Sequence, residues 1–138
     1  MTIPLPHDYR PADDESFMNP LMTEYFRRKL MGWKDELLRE SSETLQNLQQ
    51  DNVPEADIAD RASTETDRSL ELRTRDRERK LIAKIDEALE RIETGNFGYC
   101  EETGEPISLR RLEARPIATL SIEAQELHER LERTHRDD

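Results

Sequence analysis

Apolar residues in the first third of the chain recur at helical spacing and then thin out. Phe26, Leu30, Trp33 and Leu37 follow one another at intervals of four, three and four, a heptad seam that Ser41, Leu45 and Leu48 continue with a polar interruption. Asn19 stands where an N-cap belongs and Pro20 where a first helical residue belongs, so a helix is predicted from about Asn19. It should stop near Asp51-Asn52-Val53-Pro54, because Pro54 biases Val53 away from helical geometry. A second helix is predicted from about Glu55 or Asp57 to Glu93, closed by the glycine signal Thr94-Gly95-Asn96. Its middle is mostly charged, with Ile58, Ala62 and Leu72 on one side, before Ile82, Ile85, Leu89 and Ile92 restore a three-four-three seam. Two such helices joined by a tight turn imply an antiparallel coiled-coil finger.

From Gly95 onward the period is lost. Phe97, Tyr99, Ile107, Leu109, Leu112, Ile117, Leu120 and Ile122 are spread over short turns, enough for a miniature core, and a last helix from about Ser121 carries Leu127 and Leu131. Residues 1–15 are proline-rich and acidic without periodicity, which reads as a flexible or loosely docked tail. The expected fold is therefore all-α. It comprises a tail over 1–15, a coiled-coil region over 16–94 with its tip near 51–60, and a small module with a C-terminal helix over 95–138.

Composition supports extended helices over one compact core, since 33% of the 138 residues are hydrophobic and 38% are charged. A net charge of −11 opposes general nucleic-acid binding, which needs clustered cations to neutralise phosphates, so no direct sequence-specific DNA binding is expected. No run approaches the ~20 apolar residues of a membrane span, and the N-terminal segment lacks a signal-peptide core. A cytoplasmic protein is expected, in keeping with a single cysteine that cannot form an internal disulfide.

The most informative constellation lies in the module. Cys100, Thr103, Ser121 and Ala124 occupy the spacing of a four-cysteine zinc knuckle, Cys-x-x-Cys repeated after about 17 residues. One thiolate, two hydroxyls and a methyl cannot replace four soft ligands, so neither zinc nor any other cofactor is expected. His128 as a stand-in ligand would still leave the site two short. Cys100 reads as a small buried residue in preference to a redox sensor.

Two charged groups remain. Asp51, Glu55, Asp57 and Asp60 crowd the turn between the long helices, where Asp57 suits an N-cap and Asp60 the first turn. Arg73, Arg75, Arg77, Arg79 and Lys80 form a basic island that, at 100° per residue, surrounds the helix without making one stripe. No nucleophile or pocket-forming set accompanies the carboxylates, so no enzymatic activity is expected.

Three blocks together, Ser69 to Ile82, Phe97-Gly98-Tyr99-Cys100 and Arg110 to Pro116, closely resemble the DksA family of bacterial RNA polymerase secondary-channel factors. The resemblance runs from about Phe17 to about His128. It implies that Asp57, Asp60 and Ala62 form a coiled-coil tip that enters the secondary channel, and that Arg73 and Arg77 contact the polymerase. It implies further that Leu81, Lys84 and Arg115 border a site for the alarmone ppGpp, whose additional lysine is replaced here by Gln125. The implied protein is a monomer that alters open-complex lifetime in the stringent response, and the lost cysteines mark it as a zinc-independent variant. A transcript-cleavage factor would also carry acidic residues at a coiled-coil tip. A generic coiled-coil adaptor would explain the heptads and leave the Asp57, Asp60 and Arg73-to-Lys80 resemblance unexplained.

Overall fold

The computed structural model describes residues 3–50 and 58–137, the side chains of 44, 47–50, 58–61, 136 and 137 excepted. Four helices form, α1 (Pro20–Gln50), α2 (Ile58–Thr94), α3 (Leu109–Ala114) and α4 (Ile122–Asp137). Extended pairing among the described residues amounts to one antiparallel bridge, Tyr99 with Pro106.

The caps act as their side chains dictate. The Asn19 carboxamide oxygen accepts the Met22 N–H at 2.9 Å, and Ser121 Oγ accepts the Ala124 N–H at 3.2 Å, each satisfying an amide that the first helical turn leaves without a partner. At the end of α2, Asn96 N–H bonds Arg91 O at 2.8 Å and Gly95 N–H bonds Ile92 O at 3.3 Å. That is a Schellman closure, and its left-handed residue is Gly95 at φ 81°. Helix α3 lies in a stretch expected to be only turns. It has six residues, too few to show a period, and Ser108 Oγ caps it through the Arg111 N–H at 3.3 Å.

The chain divides into two compact units, Met1–Leu30 with Glu87–Asp138, and Met31–Asp86. In the first unit Met22, Phe26, Ile107 and Leu112 are fully buried, with Phe97, Cys100 and Ala124 nearly so. Phe26 sits 5.6 Å from Phe97 and 5.3 Å from Tyr25, ring centre to ring centre. Burying each large side chain contributes ~1.5–3 kcal/mol. Gly98, at φ 90°, sits in a conformation that strains any side chain and in a tight place, since a Cβ there would lie 3.0 Å from Met18 Cε and 3.1 Å from Phe17 Cζ.

Polar contacts add to this unit. Glu24 is buried and gripped by Arg27 at 2.6 and 2.7 Å and by Arg28 at 2.9 Å. The Arg27 hydrogen bond outweighs burial and, with Arg28, holds the Glu24 carboxyl down at about 2. Lys29 joins α1 to α3 through the Glu113 carboxylate at 2.6 Å and carbonyl at 2.8 Å, while the Tyr25 hydroxyl donates to the same carboxylate at 3.0 Å. Residues 3–15, expected as a flexible or loosely docked tail, lie against α1. The Tyr9 ring meets Tyr25 edge-on at 6.0 Å, the Tyr9 hydroxyl donates to Glu15 at 3.0 Å, and Arg28 donates to the Ile3 carbonyl at 2.8 Å. Burial, aided by the Glu15 carboxylate, pushes the Tyr9 phenol up to about 12.

In the second unit the two helices run antiparallel. Lys34 pairs with Asp86 at 2.7 Å, and six residues further along α1 Glu40 faces Glu78, eight residues back along α2. Leu37 and Ile85 are buried. The upper seam of α2 differs from the expected one. Leu72 is 49% exposed and Ala62 is exposed, while the covered positions are Thr64, Arg68, Glu71, Arg75 and Glu78. Those five keep the four-three rhythm that Ile82, Ile85, Leu89 and Ile92 continue. The heptad frame is continuous, and its occupants change from apolar to charged. Leu72 gave a misleading signal because an isolated leucine has no fixed place in the frame.

Candidate functional site

The four knuckle positions come together in the first unit, on a loop built for close approach. Cys100 N–H bonds Glu105 O at 2.8 Å, Gly104 N–H bonds Cys100 O at 2.9 Å, and Ile107 N–H bonds Gly98 O at 2.7 Å. Cys100 is 2% exposed and Ala124 4%, with Ser121 half-buried and Thr103 exposed. Burial pushes the Cys100 thiol up, but hydrogen bonds from the Thr103 hydroxyl and from the backbone of Ser121, Thr103 and Glu102 outweigh it and bring it to about 6. Thr103 is used twice, since its hydroxyl oxygen also accepts the Glu105 N–H at 3.2 Å.

These residues do not fit a zinc ion. Ala124 offers a buried methyl, Ser121 spends its hydroxyl on the α4 cap, and Thr103 holds the sulfur and its own loop. His128 Nε2 instead pairs with Glu102 Oε1, tying α4 to the knuckle loop. Among the described residues no group of three or more His, Cys, Asp or Glu is arranged to hold a metal.

The other expected site residues are spread along the helices. Asp57 lies outside the described residues, as do residues 51–57 of the tip expected near 51–60; Asp60 lies in α2 with its side chain not described, and Ala62 is exposed. Arg73 and Arg77 are exposed on α2, and Arg75, between them, is half-buried in the seam. Leu81 is half-buried and Lys84 exposed in the Met31–Asp86 unit. Arg115 is exposed just after α3 in the other unit, where Gln125 is half-buried and reaches Glu129 at 3.3 Å. Sequence reasoning did not find the Glu24, Lys29 and Glu113 contacts. Lys29 and Glu113 stand 84 positions apart, so no local pattern could pair them.

An antiparallel coiled-coil pair and a knuckle frame whose metal positions retain one thiol define the class, a helical coiled-coil protein on a degenerate zinc-knuckle frame. Comparison with known proteins makes it specific. Residues 22–92 match "DnaK suppressor protein DksA, N-terminal domain" and residues 95–130 match "Prokaryotic dksA/traR C4-type zinc finger". The RNA polymerase-binding transcription factor DksA of Caulobacter vibrioides is 68% identical over 131 residues, covering 95% of this chain and 92% of that protein. Its Escherichia coli (strain K12) counterpart is 45% identical over 121 residues, covering 88% and 80%. The solved structure of transcription factor DksA2 from Pseudomonas aeruginosa aligns with a TM-score of 0.79 at 46% identity, covering 85% of this chain and 90% of that one. The chain belongs to the DksA family.

Proposed function

We propose that the protein binds RNA polymerase through its secondary channel and changes the lifetime of promoter complexes, without catalysing a reaction itself. The observation that carries this reading is the near-full-length similarity to RNA polymerase-binding transcription factors, 68% identical over 95% of the chain. In this reading Asp57 and Asp60 act at the tip, with Ala62 beside them, and Arg73 and Arg77 hold the channel rim. The exposure of both arginines on α2 suits that role. Leu81, Lys84 and Arg115 border the ppGpp site, with Gln125 where a further cation would strengthen it. The protein acts as a cytoplasmic monomer and makes no sequence-specific DNA contacts. No helix among the described residues is long and apolar enough to cross a membrane.

The test is competition with a transcript-cleavage factor for purified core polymerase, combined with open-complex decay with and without ppGpp. Displacement of the cleavage factor together with altered decay is expected. Absence of polymerase binding would favour a coiled-coil adaptor instead.

The knuckle is proposed to be zinc-independent. Structural zinc supplies ~10–16 kcal/mol of apparent binding energy in zinc-finger peptides. Here the Cys100 hydrogen bonds and the buried Ala124 methyl occupy the frame. Purified protein is expected to carry no stoichiometric zinc and to keep its melting transition in EDTA. One tightly held zinc per chain, or unfolding by the chelator, would overturn this.

A further inference from the structure

Glu78 lies in the seam of the Met31–Asp86 unit, 7% exposed, and its Oε2 atom has no hydrogen-bond partner. A carboxylate taken out of water without a partner is unfavourable, and such groups commonly resolve the conflict by taking a proton. Among the described residues the charges that act on Glu78 do not offset this cost. From α1 the group that acts on Glu78 is Glu40, another acid, while the covered α1 positions near it, Leu37 and Ser41, are uncharged. Lys34, a covered cation earlier on α1, is taken by Asp86 at 2.7 Å. From α2 Arg77 is attractive, but it is the exposed neighbour of Glu78 and only partly offsets the repulsion. Further along the α2 seam lie half-buried Arg75 and Glu71, and Glu71 also has a buried oxygen, Oε2, without a hydrogen-bond partner.

We propose that Glu78 is a proton-binding site of the helix pair, taking up a proton when α1 and α2 close around it opposite Glu40, so that acid tightens this unit and alkali loosens it. Burial first, then Glu40, raises the Glu78 carboxyl above its ordinary 4.5, with Arg77 opposing. The sign follows from linkage: a folded-state value above the unfolded one means the folded pair binds the proton more tightly. The contribution is therefore complete below about 4.5 and is lost as pH rises through the raised folded-state value. Each unit of separation corresponds to roughly a tenfold change in the opening equilibrium. Placing the acid in the heptad frame makes the pair itself the responding element, with no ligand needed.

The test is amide hydrogen exchange on the full chain, corrected for intrinsic exchange, from mildly acidic to mildly alkaline pH. Protection across residues 31–46 and 62–86 is expected to fall as pH rises. Glu78→Gln, which keeps the shape and removes the charge, should raise protection at the alkaline end and flatten the dependence. Glu40→Gln should flatten it in part, and exposed Glu43→Gln should leave it unchanged. An equal slope in Glu78→Gln and the parent would overturn the proposal. So would a side-chain carbon NMR titration of the parent that finds Glu78 at an ordinary glutamate value, a measurement that decides the matter even where the variant fails to fold. If magnesium or calcium raises protection in the parent but not in Glu78→Gln, while the pH slope is the same in both, the carboxylates hold a cation and the proton site is refuted.

Discussion

Phe26→Ala is expected to remove about 3–5 kcal/mol of stability, the cost of truncating a fully buried aromatic side chain. That is a large share of the ~5–15 kcal/mol holding a typical domain folded. Phe26 has no exposed surface and lies between the rings of Tyr25 and Phe97, at 5.3 and 5.6 Å. The surroundings cannot easily collapse into the vacated space, because Phe97 is fixed by the Schellman turn before it and by Gly98 packed on Phe17 and Met18 after it. The control is Leu38→Ala on the same helix, where the leucine is 48% exposed and the loss should stay within ~0.5 kcal/mol. Denaturant unfolding followed by helical signal measures both. A Phe26→Ala loss near that of Leu38→Ala would show that the ring does not anchor the unit.

The contrast between these positions also marks what the sequence could disclose. Caps were legible because they are local: Asn19, Gly95 and Ser121 each act within a few residues of themselves, and the structure places each as expected. The α1 seam through Phe26, Leu30 and Leu37 was legible because apolar residues hold the frame. The charged stretch of α2 was not, since periodicity is read from apolar positions and the covered residues there are Arg68, Glu71, Arg75 and Glu78. A glutamate at a core position looks like any other glutamate until its helix partner is known.

The knuckle shows the same limit from the opposite direction. Spacing identified Cys100, Thr103, Ser121 and Ala124 as the four knuckle positions, three of which lack the thiol that a structural zinc site uses. What surrounds the remaining thiol depends on atoms the sequence does not order, namely the Thr103 hydroxyl and the backbone of Ser121, Thr103 and Glu102. Lys29 with Glu113 and Tyr9 with Tyr25 were likewise hidden, because each joins segments with no shared periodicity.

The largest functional effect is expected from Asp57→Asn with Asp60→Asn. Asparagine caps helices about as well as aspartate, so the start of α2 should form and overall stability should change little. The substitution removes two negative charges where the secondary-channel reading puts the tip. Polymerase binding should survive, because that reading assigns it to Arg73 and Arg77, both exposed on α2. The double variant should therefore displace a cleavage factor normally yet leave open-complex decay close to that of polymerase alone. Arg73→Ala with Arg77→Ala should show the reverse. A lost charge-assisted contact is worth roughly 1.5–3 kcal/mol, about tenfold or more in affinity, so the arginine variant should need far higher concentration but regain its effect at saturation. Measuring binding and decay across a concentration series for both variants separates the roles of tip and rim. If the Asn variant matches the parent in decay at saturation, the carboxylates are helix caps and the action on promoter complexes comes from another part of the molecule.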